Sequence, residues 1–148
     1  AFNEDPDIFR FAAEETSVGG IFFSLLQFVS LNHLETGPGT ILGAARIHYY
    51  VHRHGNRFDL HRSDKALFSD NEANPCRDPV LIKDIHTFSL TFTDNRGTEH
   101  KTWDSDADTF DFTIPAQVLI DIKTKGEDDA GYQIRTAVFL PVSRKVEK

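Results

Sequence analysis

Apolar and polar residues alternate with a period of two over much of the second half of the chain. In the segment 85–93 one row of side chains is largely apolar and the other consists of Thr and Ser: His86, Phe88, Leu90 and Phe92 alternate with Thr87, Ser89, Thr91 and Thr93. This period is typical of a strand with one buried face. Residues 94–97, Asp-Asn-Arg-Gly, favour a turn. We therefore expect 98–103 to run back as the partner strand, which completes a hairpin over 83–103.

A second hairpin is predicted near the end of the chain. The segments 116–123 and 132–140 alternate in the same way, and the loop between them at 125–131 is polar. The whole unit spans 115–141. Neither hairpin carries a recognisable set of catalytic residues, and such surfaces bind or support other molecules more often than they catalyse.

A third hairpin is predicted earlier in the chain. The segments 45–54 and 57–62 alternate on either side of Gly55 and Asn56, which suit a two-residue turn. Such a turn fixes the register, because residue 54 then lies opposite 57 and each further step inward pairs the next two residues.

The first third of the chain is apolar with two breaks. Segments 8–12 and 21–30 predict buried strands, and 14–20 predicts a polar loop. The Leu and Phe content of 21–30 also suits a helix, but its β-forming residues and the glycines before it favour a strand. The Gly-Pro-Gly sequence within 36–40 interrupts regular structure. The expected fold class is α+β and mostly β: one domain over 1–148 with two antiparallel sheets, and with any long helix missing from the start.

Composition narrows the classes of function. A chain of 148 residues can bury one core without a metal or a disulfide. Its formal net charge of −7 disfavours binding to phosphate backbones. No apolar run reaches the roughly 18 residues of a membrane-spanning helix. The lone Cys76 excludes an intramolecular disulfide, and no neighbouring His and carboxylate motif supports a role as a nucleophile.

The third hairpin carries the one cluster of side chains that suggests metal chemistry. Its register places eight polar residues on one face: His48, Tyr50, His52, His54, Arg57, Asp59, His61 and Ser63. Three imidazoles and a carboxylate on neighbouring rungs are possible zinc ligands. The favoured interpretation is a solvent-exposed face, because the opposite face collects a core-like set: Ile47, Tyr49, Val51, Phe58 and Leu60.

An acidic run after Trp103 begins like a calcium loop. The run is 104–108, Asp-Ser-Asp-Ala-Asp, and Asp111 extends it. A helix-loop-helix calcium site requires Gly and Glu where this chain has Thr109 and Pro115, so that match fails. A solvated turn is favoured over a weak cation site. No nucleophile elbow or phosphate-binding loop is present, and paired carboxylates for glycoside chemistry remain open because geometry defines them. No residue pattern argues for an enzyme.

The order of these features resembles the J-type minor pseudopilins of bacterial type II secretion systems. The resemblance covers 9–141 and rests on a series of short apolar segments and turns: Phe28-Val29-Ser30, the Tyr-Tyr hairpin, Leu81 to Ile85 leading into Phe88 to Asp94 with Gly97, then Trp103, Ile114 to Val118, and Val138 to Pro141. Each motif is weak alone, so the match depends on their order.

The resemblance implies a pilin-like domain with a structural role. Members of this family carry a cleaved leader and an apolar N-terminal helix, which this chain lacks, so we interpret the chain as a soluble piece cut after that helix. The implied partners are the I-type and K-type minor pseudopilins at the tip of a periplasmic pseudopilus, tethered to the inner membrane, with secreted cargo as a further contact. The resemblance implies no cofactor. The alternatives are another pilin-like or adhesin-like extracytoplasmic binding subunit and a zinc-dependent enzyme on the His-rich hairpin.

The apolar segment 21–29 is a candidate partner surface. In a strand its large side chains cannot all face one core: Phe22, Phe23, Leu25, Leu26 and Phe28. The favoured interpretation is burial of both faces between two sheets. If one member of this set points outward instead, we expect it to contact a partner.

Overall fold

A computed structural model describes residues 9–34, 43–70, 72–126 and 130–140. The described residues form ten strands and a short 3-10 helix at Asp108–Phe110: β1 Ala12–Val18, β2 Ile21–Ser30, β3 Ala45–His54, β4 Arg57–Ala66, β5 Val80–Ile82, β6 Ile85–Thr93, β7 Glu99–His100, β8 Trp103–Asp104, β9 Gln117–Thr124 and β10 Gln133–Phe139. The predicted breaker at 36–40 lies outside the described residues. In the described ranges no helix is long and apolar enough to cross a membrane.

The strands form two antiparallel sheets, which confirms the predicted mostly-β class. Sheet A has six strands in the order β5-β4-β3-β2-β1-β8, and sheet B has four in the order β10-β9-β6-β7. Strands β2 and β4 of sheet A lie against β6 of sheet B. The core between the sheets is aromatic and aliphatic: Phe11, Ala13, Phe23, Leu26, Val51, Phe58, Leu60, Ile85, Phe88, Leu90, Phe92, Trp103, Val118 and Ile122.

One buried hydrogen bond joins the two sheets directly. The Ser24 hydroxyl of β2 accepts the backbone N–H of Leu90 in β6 at 2.8 Å, and both residues are buried. Strand β7 pairs with only Phe92 and Thr93, so it does not extend along β6 as far as Leu90. The Leu90 N–H therefore finds an acceptor on the opposite sheet, because a buried donor without a partner is costly.

Two predicted hairpins have the expected pairing. In the third hairpin His54 lies opposite Arg57 and His48 opposite Ser63, as the two-residue turn requires, and β4 continues to Ala66. In the last hairpin β9 and β10 pair from Gln117 with Phe139 to Lys123 with Gln133.

The predicted loop at 14–20 is wrong. Strand β1 occupies most of it and pairs with β2 along its whole length, from Ala12 opposite Gln27 to Val18 opposite Ile21. Its polar side chains suit a strand that is largely exposed. The strand expected at 8–12 begins only at Ala12, and residue 8 lies outside the described residues.

The predicted return strand at 98–103 is wrong in its second half. Of the predicted return strand, only the part in β7 pairs with β6, whereas Trp103 and Asp104 join sheet A beside β1. This change of sheet buries the Trp103 indole, whose Nε1 donates to the Thr113 carbonyl at 2.8 Å.

A register shift occurs between Ile85 and Thr87 of β6, where that strand pairs with β9. Because of it Ile85 is buried and His86 is exposed, not in the apolar row.

Candidate functional site

The outward face of the third hairpin is covered in part, so the prediction of a solvent-exposed face is wrong for β4 and holds for His52 and His54 at the turn end, which are exposed. Asp59, His61 and Ser63 are all buried. The loop 72–79 folds back over this face. The hydrophobic pattern of β3 and β4 identified the two faces correctly. It gave no sign of the cover, because the covering loop has no periodicity.

Asp78 holds the loop on the sheet. Its Oδ2 accepts the Tyr50 hydroxyl and the Asn74 N–H, each at 2.7 Å. Its Oδ1 lies 3.2 Å from Nζ of Lys65. The Asp78 side chain is almost fully buried, and ion pairing with hydrogen bonds is what permits a charge at such a site.

Four rings form a row on this face, which we call the histidine row: His48, Tyr50, His61 and His52. The Tyr50 ring stacks on His61 with centroids 5.4 Å apart and also contacts His48 at 5.6 Å, while His52 meets His61 edge-on. Burial, followed by the hydrogen bond to Asp78, raises the pKa of Tyr50. Burial lowers the pKa of His48, which keeps this imidazole neutral.

The zinc set is not brought together as a ligand cluster. His61 Nδ1 lies 3.2 Å from the carbonyl oxygen of Asp78. The Asp59 carboxylate accepts from both arms of Arg57, at 2.9 and 3.1 Å, and from the Asp84 N–H at 3.0 Å. Across the described ranges, no group of three or more His, Cys, Asp and Glu side chains is arranged to hold a metal.

Asp59 stabilises the corner between β5 and β6, where the chain passes from sheet A to sheet B. Asp84 has a positive φ of 54°, and its N–H and carbonyl are bound by Asp59 and the Lys125 N–H. Burial alone raises the pKa of Asp59, but hydrogen bonds from Asp84 and Arg57 outweigh it and lower the pKa. The carboxylate therefore stabilises an unfavourable backbone conformation.

The acidic run 104–108 forms a turn that side-chain hydrogen bonds hold in place. Arg10 donates to both carboxylate oxygens of Asp104, at 2.9 and 2.6 Å. The Ser105 hydroxyl accepts the Phe11 N–H at 2.8 Å and is fully buried. These contacts tie the run to the start of β1, and Asp111 adopts a left-handed conformation after the 3-10 helix. Cys76, the lone thiol, is exposed in the loop 72–79.

The segment 21–29 divides its apolar side chains between core and surface. Phe23 and Leu26 are buried, and Phe23 packs on Phe58 with centroids 5.2 Å apart. Phe22 is 70% exposed. Phe22 is therefore the outward member of this set.

An apolar groove lies between the two sheets, and we call it the inter-sheet groove. It has a volume of about 350 Å³, and the edge strands of both sheets border it: β5 with Leu81 and Ile82, and β10 with Val138, followed by Leu140. Its inner wall belongs to the core: Phe11, Leu26, Phe28, Tyr49, Leu60, Phe88, Leu90, Val118, Ile120 and Ile122.

Strand β10 shows that the sandwich is open along this side. Val138 lies opposite Val118 and points toward sheet A, yet Val138 is 42% exposed while Val118 is buried. Every residue of β10 is exposed. Alternation in 132–140 predicted the strand, but the groove lies between β5 of one sheet and β10 of the other, which no local pattern reveals.

Comparison of the chain with protein-family models, with curated proteins and with solved structures found no match.

Proposed function

We propose that this chain is the β-domain of a J-type minor pseudopilin, a structural subunit at the tip of the type II secretion pseudopilus. The I-type and K-type minor pseudopilins are its partners, and secreted cargo is a further contact. In this role it primes pilus assembly from the periplasmic side of the inner membrane, to which the full-length protein is tethered. The order of motifs over 9–141 supports the proposal, together with the inter-sheet groove.

The inter-sheet groove is the observation that carries the proposal. Apolar grooves of this kind bind the apolar face of a helix. The resemblance implies an apolar helix ahead of the β-domain, and we propose that this helix covers the groove. Leu81 and Val138 would then be buried against it, which accounts for two exposed apolar side chains on facing edges.

A second candidate is another pilin-like or adhesin-like binding subunit. The exposed edge of β10 favours it, because unpaired backbone groups along an edge strand can accept a strand from another protein. In this role β10 would extend sheet B by one strand from a partner. The zinc-dependent enzyme is not proposed, because His61 and Asp59 are engaged in the structural contacts described above.

Co-purification separates the two candidates. A tagged form of this domain is mixed with the soluble domains of I-type and K-type pseudopilins, and each is also tested alone. The proposed role predicts recovery of both partners with the tagged domain. Failure to retain either partner would remove the tip-subunit role and leave the second candidate.

A further inference from the structure

A polar cavity of about 320 Å³ lies on the outward face of sheet A, on the opposite side of the sheet from the inter-sheet groove. Strands β3 and β4 form its floor, and the loop 72–79 forms part of its wall. The residues that give it its chemistry are Gln27, Arg46, His48, Ser63, Lys65 and Glu72.

The register places two cations face to face in this cavity. Arg46 lies directly opposite Lys65, and on the next rung of the same face His48 lies opposite Ser63. Like charges directly opposite each other destabilise a strand pair, so such an arrangement requires compensation. Lys65 is compensated, because its Nζ lies 3.2 Å from Oδ1 of Asp78.

Arg46 is not compensated in the same way. Its Nη2 reaches only the Leu67 carbonyl, at 3.5 Å, and it forms no ion pair with any carboxylate in the described part of the chain. Glu72 lies at the exposed rim and is paired with neither cation within the described ranges. Asp78 is occupied by Lys65, Tyr50 and Asn74.

His48 also contributes a polar atom to this cavity, and that atom requires a hydrogen-bond partner. Its Nε2 is buried and has no hydrogen-bond partner among the described residues. Buried polar atoms in folded proteins are nearly always satisfied, so an atom of this kind commonly marks the place of a water or an ion. Burial lowers the pKa of His48, and a neutral ring protonated at Nε2 is a hydrogen-bond donor.

We propose that this cavity binds a small oxyanion, a carboxylate or a phosphate, which bridges Arg46 and Lys65 and accepts hydrogen bonds from His48 and Ser63. The guanidinium of Arg46 suits a planar or tetrahedral oxyanion, because it offers paired N–H donors. The bound anion supplies the negative charge that Arg46 lacks among the described residues. This site does not depend on the proposed function, because it uses none of the groove residues.

Nuclear magnetic resonance titrations at constant ionic strength test the site. The protein is titrated with inorganic phosphate and, separately, with acetate. We expect saturable shifts in β3 and β4 with at least one of them. Saturation by phosphate alone identifies a phosphate site, and saturation by acetate identifies a site for a carboxylate such as an acidic side chain of another protein.

A matched pair of variants identifies the residue responsible. Arg46→Gln is expected to weaken anion affinity by about tenfold or more, as loss of a charge-assisted hydrogen bond does. Arg96→Gln removes the same charge from the exposed turn between β6 and β7 and is expected to leave affinity unchanged. The site is refuted if neither anion gives saturable shifts, if shifts avoid β3 and β4, or if both variants weaken binding equally. The wild-type titration decides the matter even if Arg46→Gln fails to fold.

Discussion

The hydrogen bond from Leu90 to Ser24 gives the sharpest test of how the two sheets are joined. Ser24→Ala removes the acceptor and leaves the Leu90 N–H buried between the sheets. A buried donor without a partner costs about 1–3 kcal/mol, more than the net value of an ordinary hydrogen bond. For a domain of this size, each kcal/mol lowers Tm by about 2–4 °C.

Urea unfolding measures this loss directly. The expected result is a lower midpoint with an unchanged slope, which indicates lower stability without a change in the surface exposed on unfolding. Ser30→Ala is the matched control, because Ser30 lies on the same strand and its hydroxyl accepts the exposed Asn32 N–H, at 3.0 Å. We expect this control to change stability by less than about 0.5 kcal/mol.

The stabilities of the two serine variants can also refute a specific role for the inter-sheet hydrogen bond. If Ser24→Ala were as stable as the wild type, or if Ser30→Ala lost as much, the inter-sheet bond would contribute nothing specific. A fall in stability with a changed slope would instead indicate an altered folded or unfolded ensemble.

Three further predictions concern the histidine row and the apolar surface. Burial lowers the pKa of His48, so the unfolded chain binds more protons just below the ordinary histidine pKa of about 6.5, and stability falls as the pH drops through that window. His48→Gln should flatten this dependence in urea unfolding, and an unchanged dependence would contradict it. Val138→Asp should reduce the fluorescence of an apolar dye bound in the inter-sheet groove, whereas Leu119→Asp, on the opposite face of sheet B and similarly exposed, should not; equal effects would place the dye elsewhere. Phe22→Ala should leave stability within about 0.5 kcal/mol, because its side chain is 70% exposed, and should weaken partner binding; normal binding by calorimetry would exclude Phe22 from the interface.

Local pattern and turn chemistry were sufficient to predict the hairpins. Gly55 and Asn56 fixed the register of β3 and β4, and alternation in 116–123 predicted the strand that the structure has as β9. The segment 14–20 was predicted as a loop because it is polar and ends in Gly19-Gly20. Residues 14–18 instead belong to β1, because β2 supplies a partner along the full length of that strand.

Features that depend on distant parts of the chain were not visible in the sequence. Trp103 pairs with β1 of sheet A instead of continuing the hairpin with β6. In this position its indole is buried and donates a hydrogen bond to the Thr113 carbonyl. Asp78 covers the histidine row through bonds to Tyr50 and Lys65, which are 28 and 13 positions away. Pro75 and Pro79 beside it indicate a loop but not the surface on which that loop packs.

In the candidate site, too, local patterns were predictable and contacts between distant parts of the chain were not. The sequence correctly placed His48 and Ser63 on one face, but it could not show that Asp59 and His61 are committed to structural contacts. The inter-sheet groove was missed because it depends on where β5 and β10 end relative to each other. Its only local signal was the apolar alternation in β10, which an ordinary edge strand also shows.

The molar mass of this domain in mixtures with the proposed partners tests the proposed tip-subunit role most directly. Size-exclusion chromatography with light scattering is run on this domain alone, with each of the I-type and K-type soluble domains, and with both. The account predicts a stable species whose mass equals the sum of the partners in the mixture. A domain that elutes alone at its monomer mass in every mixture would contradict the account.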